Sequence, residues 1–286
     1  MSVPQFKDIS KAANNVLGKD FYHVAPLSLE VKTVAPNGVA FTVDGQSNQK
    51  TGALAGKIEA QYTDKPSGVS LTQGWTSANV LNTKVELNEA FTPGLKGEVD
   101  TSFLPDTGAK NAKVGLTYKQ PGVNAHILLD AFKGPGVTGD VVFGHGGFVA
   151  GGEIAYDVSS AKISRFSSAI GYLHPAYSAT VAATNNFNVF SAAIWHKVDP
   201  NTEIGARGTW DAAQPSSAGV GIEAAVKHNL DRSAFVKAKL NNQGIAWLSY
   251  SQALRPGVTM GVGLLADTQR LNESAHKVGL SLKFAA

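Results

Sequence analysis

The sequence predicts an all-β transmembrane barrel of about nineteen strands, preceded by one amphipathic helix. Three observations predict it. Apolar and polar side chains alternate with a period of two, and the alternation restarts roughly every dozen residues from Leu27 to Phe284. No stretch approaches the roughly 20 consecutive apolar residues that a membrane helix needs. The pattern is also hardly broken by helices or long buried runs, which a soluble chain of 286 residues would normally contain.

The N-terminus differs from everything after it. Phe6, Ile9, Ala13, Val16 and Leu17 recur at three- and four-residue spacings, with Lys7, Asp8, Lys11, Asn14 and Asn15 on the remaining surface, which predicts a helix over residues 5–17. A cleavable mitochondrial presequence would be rich in Arg and poor in acid, whereas this segment has no Arg and carries Asp8 and Asp20. Gly18 ends the pattern and offers a hinge, and Pro26 precedes the first strand. Two units are expected: residues 1–25 as helix and hinge, and residues 26–286 as the barrel.

Each strand then follows from its parity. Leu27, Leu29 and Val31 oppose Ser28, Glu30 and Lys32; Val39, Phe41 and Val43 follow the turn pair Asn37-Gly38. Leu81, Val85 and Leu87 oppose Asn82, Lys84 and Glu86, and Leu95, Val99 and Phe103 oppose Lys96, Glu98 and Asp100. Near the C-terminus Ile222, Ala224 and Val226 oppose Glu223 and Lys227, and Val278, Leu280, Leu282 and Phe284 oppose Lys277, Ser281 and Lys283. Strands of about 10 residues, turns of about 4 and an N-terminal stretch of about 25 use up the chain. A barrel of that size encloses water, so the polar parity belongs inside. Tyr62, Trp75, Tyr118, Trp195 and Trp210 are assigned to the apolar parity near strand ends, as interfacial girdles require.

Composition narrows the function. There is no cysteine, hence no disulfide, thiol nucleophile or Cys-based zinc site. A formal net charge of +3 is too small and too scattered for a nucleic-acid surface. Mean hydropathy is −0.06, a value that understates membrane residence because only alternate residues of a barrel strand face lipid. Gly261-Val262-Gly263-Leu264-Leu265-Ala266 fits a dinucleotide-binding pattern, but no helix follows it. Gly144-His145-Gly146-Gly147 lacks the Lys-Ser/Thr ending of a phosphate loop and reads as a turn, and the sequon Asn272-Glu273-Ser274 matters only in a secretory setting. The seven histidines form no His-x-x-x-His pair, and no nucleophile–base constellation is legible, so no enzyme, cofactor or metal site is expected.

Several strings resemble the voltage-dependent anion channel, or mitochondrial porin, family. They are Met1-Ser2-Val3-Pro4, the helix with Lys11 and Lys19, Phe91-Thr92-Pro93-Gly94-Leu95-Lys96, and His276-Lys277-Val278-Gly279-Leu280. Asp20-Phe21-Tyr22-His23 and Leu71-Thr72-Gln73-Gly74-Trp75 are most similar to fungal members. His228, Asp231, Lys237, Lys239, Leu240 and Asn241 resemble the family's C-terminal signature, with Arg232 departing from it at a turn. Lys277, Gly279, Leu282 and Phe284 resemble the signal by which barrels are recognised for insertion into the mitochondrial outer membrane. Where many animal members carry a lipid-facing Glu, this chain has Gln73, so calcium or hexokinase responses linked to that Glu are not carried over.

The resemblance implies nineteen strands and a helix lying in the pore of a voltage-gated, weakly anion-selective channel of the mitochondrial outer membrane. Nucleotides, phosphate and other small anions would permeate. Expected partners are membrane lipids, the barrel-assembly machinery and a second copy of the chain, with no nucleic acid. Lys32, Lys57, Lys84, Lys96, Lys113, Arg207, Lys237 and Lys239 on the polar parity, with Lys11 and Lys19 at the helix, are the candidates for attracting anions. The competing readings are a protein-translocase barrel of the same membrane and a soluble all-β binding protein.

Overall fold

The computed structural model describes residues 2–47, 52–89, 92–132, 135–213, 219–273 and 276–285. Met1, Phe91 and Ser274, named in the motifs above, lie outside them. A 3-10 turn at Phe6–Asp8, helix α1 at Lys11–Gly18 and a second 3-10 turn at Tyr22–Val24 precede nineteen strands. The strands begin with β1 (Leu27–Val34), β2 (Ala40–Ser47), β3 (Leu54–Asp64), β4 (Val69–Thr76), β5 (Leu81–Asn88) and β6 (Leu95–Leu104). Next come β7 (Ala109–Gln120), β8 (Val123–Asp130), β9 (Gly136–His145), β10 (Phe148–Asp157), β11 (Lys162–Leu173), β12 (Tyr177–Thr184) and β13 (Val189–Asp199). β14 (Thr202–Asp211), β15 (Val220–Asn229), β16 (Ala234–Asn241), β17 (Ile245–Arg255), β18 (Val258–Asp267) and β19 (Lys277–Ala285) complete the set.

Every strand pairs with its sequence neighbours in antiparallel fashion, and β1 closes the sheet against β19. With strands alternating in direction, an odd number brings the first and last together pointing the same way. The closing seam is accordingly parallel, running from Leu27 beside Leu280 to Lys32 beside Ala285. Closure leaves no sheet edge, which is the condition for exposing a sheet to lipid.

The turns are short and use glycine where the backbone demands it. Gly94, at φ +83°, accepts the Lys119 N–H on its carbonyl oxygen at 2.8 Å, and a Cβ there would collide with the Lys119 carbonyl. Asp231 builds the β15–β16 turn by accepting from Ser233 N (2.6 Å), Ser233 Oγ (2.7 Å) and Ala234 N (2.8 Å). Those donors hold its carboxyl below the usual carboxylate range, with the Ser233 hydroxyl contributing most.

The outer face is apolar: Leu54 is 79% exposed, and Ile58, Leu116, Ile170, Ile194 and Leu248 are exposed with it. Tyr62, Trp75, Tyr118 and Trp210 are exposed on the same face. Trp195 is a correction. It points inward against the helix and donates Nε1–H to Glu203 Oε2 at 3.1 Å. In Ala192-Ala193-Ile194-Trp195 both parities are apolar, so alternation could not assign it, and Ile194 takes the outward position.

The N-terminal helix is also shorter than expected. Only residues 11–18 are α-helical, and the turn before them is 3-10. The break falls at Ser10, whose hydroxyl lies 2.8 Å from Thr180 Oγ1 of the wall and makes no cap to its own helix.

Candidate functional site: the lumen and its N-terminal segment

The segment before β1 lies inside the barrel on a seat that interrupts the polar interior. Val3 and Ile9 are buried against Val142, Val149 and Ala169, with Phe6 and Leu173 beside them. Ala13, Val16 and Leu17 are buried against Ala193, Ala225 and Trp195. Gly205 lets the helix approach, since a Cβ there would sit 3.3 Å from Val16 Cβ. The second 3-10 turn rests on Gly261, Gly263 and Gly279, where Cβ atoms would overlap Tyr22 and His23. The Gly-x-Gly string thus serves backbone approach. Burial, then the charges of Lys277 and Lys239, push the His23 imidazole toward its neutral form.

Polar contacts fasten both ends. Asn124 donates to the Val3 carbonyl at 3.0 Å, and Asp140 Oδ1 accepts from Phe6 N–H at 3.3 Å. At the other end Lys237 Nζ donates to the carbonyls of Asn15 (3.0 Å) and Lys19 (2.6 Å), and lies 4.8 Å from the centre of the Phe21 ring. Lys237 is 2% exposed, so it caps the C-terminal end of α1 and is withdrawn from the open pore. Ser249 Oγ donates to the Asp20 carbonyl. Gly18 is the last residue of α1 and is exposed, with open space where a Cβ would stand.

The segment's main contacts fall on β9–β10, β13–β15 and β18–β19. Toward β1–β7 the lumen stays open, and a chamber of about 710 Å³ lies between residues 18–22 and β1–β4. Five of the ten predicted cations line this open wall, and each of the five has an acidic neighbour. Lys32 meets Glu30 at 2.6 Å, Lys57 meets Glu59, and Lys84 meets Glu86 at 3.0 Å and Glu98 at 3.5 Å. Lys96 shares Glu86 at 2.8 Å, and Lys113 reaches Asp130 at 3.6 Å. Across the lumen Arg207 and Lys239 share Glu223, and Arg207 also donates to Asn14 Oδ1 at 3.0 Å. Lys11 pairs with Asp8 at 3.4 Å, whereas Lys19 is exposed and makes no ion pair among the described residues.

On the outer face Gln73 is exposed, paired in register with Ala60 and Thr83. In β19 Lys277 is exposed, Gly279 carries the second 3-10 turn, and Leu282 and Phe284 stand opposite Met260 and Val258. Sequence reasoning missed the apolar seat on the inner wall. Its signal was present wherever both parities turn small or apolar together, as in Val141-Val142, Ala192-Ala193 and Ala224-Ala225.

A closed sheet with an apolar exterior, a charged and open interior and a segment seated on the inner wall defines a pore-forming transmembrane β-barrel. Residues 2–279 match the profile of the eukaryotic porin family, and the chain belongs to that family. It is 49% identical over 286 residues, covering 100% of both chains, to the mitochondrial outer membrane protein porin of Candida albicans. It is 45% identical over 284 residues, 99% of both chains, to the protein of the same name from Neurospora crassa. With non-selective voltage-gated ion channel 1 of Saccharomyces cerevisiae it shares 40% identity over 287 residues and 100% of both chains.

Proposed function

We propose that the barrel is a voltage-gated diffusion channel of the mitochondrial outer membrane that passes small metabolites and ions with a weak preference for anions. The observation that carries this reading is the open lumen beside β1–β7, lined by charges that face water and not lipid. Family membership and the names of full-length relatives support the channel, its voltage dependence and its membrane. The work is permeation, not turnover.

The anion preference follows from Lys19 and from the excess of basic groups, and the pairing of the rest keeps it weak. A paired Lys presents a dipole to a passing ion, and salt screens what remains beyond roughly 10 Å. Nucleotides, phosphate and organic acids fit such a lumen. Voltage acts on charges of the segment and wall, at about 2.3 kcal/mol per charge per 100 mV. Lys277, Gly279, Leu282 and Phe284 are proposed as the surface read by the barrel-assembly machinery, and Gln73 as part of a lipid- or copy-facing patch.

Single-channel current across a planar bilayer under a KCl gradient tests the reading. A large conductance that drops to partly conducting states at either polarity, with a reversal potential toward chloride, is expected. A cation-selective pore blocked by basic presequence peptides would favour a translocase barrel instead. Absence of conductance from folded protein would end the channel reading.

A further inference from the structure

We propose that the second 3-10 turn, Tyr22–Val24, sets the register in which β1 and β19 close the barrel, by seating its backbone in a notch of three lumen-facing glycines. The inference concerns assembly of the wall and does not depend on what permeates or on how voltage acts.

Among the described strands, the seam is the one pairing whose register no hairpin fixes. Every other pairing joins consecutive strands through a turn, whereas β1 and β19 come from opposite ends of the chain and run parallel. The side chains of the seam constrain it little. A slip of one residue would turn polar groups toward lipid, but a slip of two returns Leu27, Leu29 and Val31 to the same face as Leu280, Leu282 and Phe284. The ion pair across the seam does not choose between these registers: Glu30 lies 3.5 Å from Lys283 but 2.6 Å from Lys32, which travels with it on β1.

What distinguishes the observed register is the turn just before β1, whose main strand contacts fall on β18 and β19. A Cβ on Gly279 would overlap the carbonyls of Tyr22 and Ala25, and one on Gly261 would overlap the Tyr22 ring. On Gly263 it would stand 2.6 Å from the His23 nitrogen and 2.7 Å from that of Tyr22. A shift of two residues along β19 would bring the turn onto Ser281 or Lys277, both of which carry the Cβ that this fit excludes.

The link from turn to strand is short and stiff. Ala25 is buried and extended (φ −127°, ψ 139°), and Pro26 has a fixed φ and restricts the residue before it. The Pro26 carbonyl then accepts Leu280 N–H at 3.0 Å, next to the pairing of Leu27 with Leu280. Upstream, Ser249 Oγ donates to the Asp20 carbonyl, so the turn is held from both sides and its position is passed directly to β1.

The chain has no cysteine, so introduced pairs can read the seam. Paired strands lie about 4.8 Å apart, within the Cα separation that a disulfide spans, and a slip of two residues moves a partner about 6.6 Å along the strand. Ser28→Cys with Ser281→Cys reports the observed register, while Ser28→Cys with Lys283→Cys and Glu30→Cys with Ser281→Cys report slips of two residues in either direction. Each pair would be oxidised in the full-length barrel in lipid vesicles and the linked peptides quantified by mass spectrometry, with and without two glycines inserted between Ala25 and Pro26. The insertion leaves the turn, the notch and every strand unaltered and lengthens only the link. Without it, the observed-register disulfide is expected to exceed either slipped one by on the order of tenfold or more, the scale of forcing an extra carbon into a packed site. With it, the yields should approach parity. Gly279→Ala, which fills the notch and leaves the link alone, should lower the ratio in the same way; if that variant does not fold, the lengthened chain decides. A ratio as high in the lengthened chain as in the parent overturns the proposal, because the strands then choose their own register. Equal yields of the three pairs in the parent chain overturn it as well.

Discussion

Lys19 and Lys57 carry the same charge into the same lumen but in different company. Lys57 is held by Glu59, so a permeating anion meets a near-neutral pair, whereas Lys19 stands in water without an ion-pair partner among the described residues. Lys19→Glu is therefore expected to move the reversal potential toward potassium by more than Lys57→Gln does, measured under the same KCl gradient; equal shifts would show that pairing does not decide selectivity. Lys237 teaches the same lesson from the opposite side. Its sequence position places it among the attracting cations, yet its ammonium is spent on the carbonyls of Asn15 and Lys19. Asp231 shows how a signature residue serves the turn. With its carboxyl held below the usual range, its contribution is present above the unfolded carboxylate pKa and lost as pH falls through the lowered one. A carboxyl carbon titration by NMR should place its midpoint below about 3.9, and a midpoint at or above that value would remove the turn argument.

At the scale of the element, the pore segment is a short helix that could not persist alone. An isolated helix of eight residues is well below the length that is stable in water, so α1 exists because its apolar stripe is buried on the wall. Leu17 is 1% exposed, and Leu17→Ala is expected to weaken docking by roughly 2–5 kcal/mol, read as faster amide exchange in residues 11–18 while exchange in the strands is unchanged. Unaltered helix protection would mean that the polar anchors suffice. Gly263→Val should displace the second 3-10 turn, because a Cβ at that position would lie 2.6 Å from the His23 nitrogen. The expected readout is a change in Trp247 fluorescence, since His23 lies 6.4 Å from that ring. The boundary at residue 10 has a physical cause of the same kind: Ser10 bonds to Thr180 of the wall, and tertiary contact overrides the periodicity that runs through it.

At the scale of the whole molecule, a closed sheet with a segment seated inside raises the question of which part voltage moves. Because a Gly205 Cβ would stand 3.3 Å from Val16 Cβ, the pair Val16→Cys and Gly205→Cys is placed close to disulfide geometry. If the helix must leave the wall, the oxidised channel should hold its open conductance at voltages that close the native one and regain closure on reduction. A voltage response unchanged by oxidation would assign gating to the wall.

The sequence by itself determined the barrel. A period of two is a property of each strand, so the outward belt, the inward charges, the approximate strand number and the glycine turns were all legible locally. The signature strings were equally local, and they led to the family that the full-length match shows. Only the tertiary structure decided which inner residues form the seat, that Trp195 turns inward, that Lys237 is withdrawn while Lys19 is exposed without an ion pair among the described residues, and that Gly261, Gly263 and Gly279 make room for Tyr22 and His23. Those facts join residues more than a hundred positions apart across the lumen. They depend on which wall the N-terminal segment chooses, a choice made by shape and burial between distant strands, to which the alternation within any one strand is blind.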